Sequence, residues 1–68
     1  MINQEYLEYW QQTIIDITLL SNLIKENIEN FQQTHDIQHI EYILENIKKI
    51  IRLIPLEKIY YERINYPD

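Results

Sequence analysis

Sixty-eight residues allow one small domain, and a chain of this length hides only about 60% of the surface its unfolded form exposes. Fifteen residues are Ile and seven are Leu, while Cys, Gly, Ala and Val are absent, which excludes disulfides, thiolate chemistry and a glycine-rich phosphate loop. The net charge is −5: residues 1–45 carry eight acids and one base (−7), and residues 46–68 carry five bases and three acids (+2). That balance argues against general nucleic-acid binding, which needs cations to displace counterions from phosphate.

The chain begins with a helical signature. Asn3 is a suitable N-cap, Glu5 sits in the first turn where its charge suits the helix dipole, and Ile2 and Leu7 hold the positions of a hydrophobic staple. From Gln4 onward neither Pro nor Gly interrupts. Trp10, Ile17, Ile24 and Phe31 recur every seven residues, flanked by Tyr6, Leu7, Ile14, Leu20 and Ile28. The spacing predicts a helix over about 4–33 with a continuous apolar stripe. Ile15, Leu19 and Leu23 form a second row at i, i+4, i+8 on another side of it. One stripe suffices for a two-helix hairpin, so the extra row calls for a second neighbour.

Residues 34–36 read as a polar turn, with Thr34 or Asp36 capping the next helix. Ile37, Ile40, Ile43, Leu44, Ile47, Ile50, Ile51 and Ile54 then give the spacing of an amphipathic helix over about 37–53. Pro55 lacks an amide hydrogen and disfavours helical geometry at Ile54, so a bend or break is expected there, with a short third helix over about 56–64. The expected architecture is all-α, a single domain built as an antiparallel helical hairpin whose second arm is kinked or broken at Pro55, pairing into a dimeric four-helix bundle.

Few residues suit catalysis. His35 and His39 share a helical face at i, i+4, the spacing of two zinc ligands, but Asp36 stands where the zinc-protease pattern has Glu. Their simpler role is in the turn, and neither a metal nor a cofactor is expected. Glu41 with Glu45, and Glu26 with Glu29, lack the Glu-x-x-His partners of a di-metal bundle and read as solvated faces. Lys48, Lys49 and Arg52 cluster on the exposed side of the second helix, a stripe that suits phosphate or simply the helix C-terminal dipole.

The aromatics are more concentrated than the charges. Tyr6, Tyr9 and Trp10 open the first helix, and Tyr60, Tyr61 and Tyr66 close the chain; a hairpin brings these ends together, with Arg63 among them. Such residues are enriched at interface hot spots and also serve to plug the end of a bundle.

Together these features point to a non-enzymatic, cytoplasmic, homodimeric regulator or inhibitor that binds a larger protein. Its interface residues would be Ile15, Leu19 and Leu23 with Tyr6, Tyr9, Trp10, Tyr60, Tyr61 and Arg63. The Ile- and Asn-rich composition is what AT-rich coding gives, as in phages and low-GC bacteria. Residues 1–10 carry no base and two Glu and do not read as a signal peptide; no apolar run is long enough for a membrane span. One alternative makes the acids of the first helix a nucleic-acid mimic. In length and layout the small acidic hairpin also resembles the plasmid RNA-binding Rop proteins, without a shared motif, which would imply RNA contacts through Lys48, Lys49 and Arg52.

Overall fold

The computed structural model describes residues 2–65, and it is an antiparallel pair of long helices. Helix α1 runs Gln4–Thr34 and α2 runs Ile37–Arg63; among the described residues there is no strand. The rod measures 52 × 14 × 11 Å, one helix pair thick.

Local chemistry sets both helix starts. The Asn3 side chain accepts hydrogen bonds from the amides of Glu5 (3.1 Å) and Tyr6 (3.4 Å), and the Asp36 side chain accepts one from Gln38 N at 2.9 Å. Each satisfies amide groups that have no partner inside the helix. Between the helices His35 adopts left-handed geometry, φ 53°, and its amide donates to Phe31 O at 2.8 Å. A non-glycine residue there costs about 1 kcal/mol. The His35 ring lies 5.8 Å from that of Phe31.

Pro55 does not end α2. The short helix expected over 56–64 is the last part of one continuous element that carries Pro55 within it. Pro55 is exposed on the side of α2 turned away from α1, and Ile51, whose carbonyl loses its amide partner to the proline, is exposed as well. On both sides of Pro55, at Leu53 and Glu57, α2 keeps its seam positions against α1.

Those contacts follow an alternating 4–3 spacing. Along α1 the residues turned inward are Tyr6, Trp10, Thr13, Ile17, Leu20, Ile24, Asn27 and Phe31; along α2 they are His39, Ile43, Asn46, Ile50, Leu53, Glu57, Tyr60 and Ile64. This is a coiled-coil seam. It is closed at the open end by Asn3 N donating to Ile64 O at 2.7 Å, and near the turn by Asn27 and His39, whose Oδ1 and Nδ1 lie 3.3 Å apart.

The seam is thin and polar. Among the described residues the only buried ones are Ile64, Thr13 and Asn46, and no side chain is fully buried. Thr13 satisfies its hydroxyl by donating to Tyr9 O at 2.8 Å. A seam that turns Thr, two Asn, His and Glu toward its partner helix is a weak core, because each such group gives up apolar contact.

Candidate interaction surface

A flat helix pair has two broad faces, and the seam positions define them. Each residue turns the helix by about 100°. Because the helices run in opposite directions, the residue after a seam position falls on the same face in both. The residue before one falls on the other face.

The preceding positions form the face that carries the row Leu19 and Leu23. There a shallow groove is lined by Asp16, Leu19, Leu20, Lys49, Arg52 and Leu53. Ile15, Leu19 and Leu23 are 50%, 57% and 45% exposed, so no part of α2 covers the second row of α1. Lys49 and Arg52 share this groove with Asp16, while Lys48 meets Glu45 at 3.9 Å, both largely exposed. An exposed pair of that kind contributes little to stability.

The succeeding positions form a more apolar face. In α2 the seam residues and their successors make doublets, His39–Ile40, Ile43–Leu44, Asn46–Ile47, Ile50–Ile51 and Leu53–Ile54. The first member points to α1 and the second, Ile or Leu in these five, points outward; after Glu57, Tyr60 and Ile64 the outer residues are Lys58, Tyr61 and Asn65. In α1 three of the eight seam positions repeat the arrangement, Tyr6–Leu7, Thr13–Ile14 and Asn27–Ile28, while Trp10, Ile17, Leu20, Ile24 and Phe31 are followed by the polar residues Gln11, Thr18, Ser21, Lys25 and Gln32. Ile14, Ile28, Leu44, Ile47, Ile51 and Ile54 are between 36% and 60% exposed. This hairpin therefore turns Thr13, Asn27, His39 and Asn46 inward and leaves their aliphatic neighbours in water.

By sequence alone all these α2 residues fall in one broad stripe facing α1. The signal that separates them is the 4–3–4–3 recurrence of Ile40, Leu44, Ile47, Ile51 and Ile54, a second seam one residue out of step with the first.

The aromatic end assembles as expected for its described members. The Tyr9 and Tyr60 rings lie 5.5 Å apart, Tyr6 and Tyr9 6.0 Å, and Trp10 and Tyr61 5.8 Å. The Arg63 guanidinium sits 5.7 Å from the centre of the Tyr6 ring and donates to the Tyr6 hydroxyl at 3.3 Å. Tyr66 lies outside the described residues. Tyr9 Oη donates to Glu5 Oε1 at 2.6 Å, and this hydrogen bond to a carboxylate pushes the ionisation of Tyr9 above the usual phenol range.

His35 and His39 take separate roles, one in the turn and one in the seam. Among the described residues no group of three or more His, Asp or Glu is gathered as a metal site, and no helix is long and apolar enough to cross a membrane. No protein-family model, curated protein or solved structure matches the chain.

Proposed function

We propose that this chain is a non-enzymatic interaction protein, a self-associating helical hairpin that binds and modulates a larger protein. The observation that carries this reading is the inversion of burial: among the described residues sixteen large hydrophobic ones are exposed and no side chain is fully buried. A small chain with so little internal core and no disulfide gains its stability by associating. Helices with apolar rows on two sides are built to touch two neighbours. RNA binding through Lys48, Lys49 and Arg52 is less favoured, since Glu45 and Asp16 stand beside those bases and reduce the local positive potential.

The test is the mass of the purified chain by light scattering over a hundredfold range of concentration, measured alongside its helical signal. A two-chain mass with cooperative unfolding is expected. A stably folded species that holds at 8.5 kDa throughout would sink the reading.

A further inference from the structure

We infer that the occupant of the aliphatic face is a second copy of this chain, joined through Ile14, Ile28, Leu44, Ile47, Ile51 and Ile54, and that the Leu19–Leu23 face stays outside the dimer. This rests on the proposed self-association and specifies where it occurs.

Area is the first argument. The chain exposes 5542 Å². A globular monomer of 8.5 kDa exposes about 4,700 Å². The excess, roughly 900 Å², is close to the ~800 Å² that each partner contributes to a stable standard-sized interface. A rod one helix pair thick is relieved of that excess by laying a second rod flat against it.

Charge selects the occupant. The chain is acidic, so a copy is tolerated only where acids do not meet acids. No position immediately after a seam residue, in either helix, is Asp or Glu; the charged ones are Lys25 and Lys58. The positions preceding seam residues carry Glu5, Asp16, Glu26 and Glu45 along with Lys49, Arg52 and Arg63, so a copy docked there would have to match each acid to a base. The aliphatic face is therefore the one broad side on which two copies of a −5 chain approach without facing their own carboxylates. Pattern agrees with charge. A helix in a four-helix bundle needs one seam toward each of two neighbours, and the α2 doublets from His39 to Ile54 provide both, one residue apart, with Leu7, Ile14 and Ile28 of α1 beside the outer one. A two-fold axis then sets identical rows against each other.

Two substitutions and one thiol probe test this. Ile47→Asp, at the middle of the face, should reduce the two-chain mass to one, while Leu19→Asp should leave it at two. A buried charge at Ile47 can abolish folding along with association, so a gentler probe stands beside it. The chain has no cysteine, and Ser21→Cys puts a single thiol on the aliphatic face. Asn22→Cys puts one on the outer side of α1. In a sample that scatters as two chains, maleimide should label the Ser21→Cys thiol at least tenfold more slowly than the Asn22→Cys thiol. Equal labelling rates in that sample overturn the assignment, as does dissociation by Leu19→Asp with Ile47→Asp still paired. Both of these results leave self-association standing. A folded wild-type monomer overturns the two together.

Discussion

Trp10 and Glu57 are 47 positions apart in the chain, and the Trp10 indole N–H donates to the Glu57 carboxylate at 2.9 Å. Both residues occupy seam positions, so a carboxylate sits half-buried between helices and the indole is the partner that makes it tolerable there. Trp10→Phe removes the donor and keeps an aromatic ring. It should cost about 1–2 kcal/mol in urea unfolding, whereas Glu57→Gln, which keeps an acceptor, should cost less than half as much. Equal losses would show that the pair acts through packing alone.

Asn46 is 9% exposed in the middle of the α2 seam. A polar residue at such a position sets register and partner number at some expense of stability. Asn46→Leu should raise the unfolding free energy by about 1 kcal/mol and broaden the distribution of masses seen by light scattering. Asn46→Asp should destabilise by about 2 kcal/mol or more near neutral pH, since it buries a charge. A Leu variant that is less stable and still of one mass would mean that Asn46 serves packing instead.

Pro55 lies within α2 and faces solvent, so its ring has no packing role on α1. Pro55→Ala restores the bond to the Ile51 carbonyl, offset in part by the greater freedom of the unfolded chain. The net gain should be about 1–3 kcal/mol, with helical content by circular dichroism no lower than wild type. Destabilisation would show that Pro55 sets a local shape which the association requires.

The bond from Tyr9 to Glu5 gives stability a pH dependence with a definite sign. The folded state holds the phenolic proton more tightly than the unfolded state does. The contribution is therefore complete below the ordinary phenol value of about 10, and it is lost as pH rises from there through the raised folded value. Tyr9→Phe should remove this contribution near neutral pH, a small loss because the bond is exposed, and flatten the alkaline part of the stability profile. An unchanged alkaline slope in Tyr9→Phe would assign the effect to other tyrosines.

Much of the architecture is local in origin and was legible in the residues themselves. Asn3 and Asp36 mark helix starts because their short side chains reach amides two or three residues on, and the seven-residue recurrence of Trp10, Ile17, Ile24 and Phe31 dictates a helix with an inward stripe. The meeting of Tyr6, Tyr9 and Trp10 with Tyr60 and Tyr61 followed from the hairpin alone. At Pro55 the local penalty predicts a bend or a break, and α2 is not broken, because packing along α1 outweighs one missing hydrogen bond. Only tertiary structure decided which member of each apolar doublet points inward. Asn46 and Ile47 differ by one position and about 100° of rotation, and the choice depends on the register between residues as distant in the chain as Asn3 and Ile64. That register turned Thr13, Asn27 and Asn46 toward the partner helix, left Ile14, Ile28 and Ile47 outside, and set the broadest apolar surface on the face opposite Leu19 and Leu23.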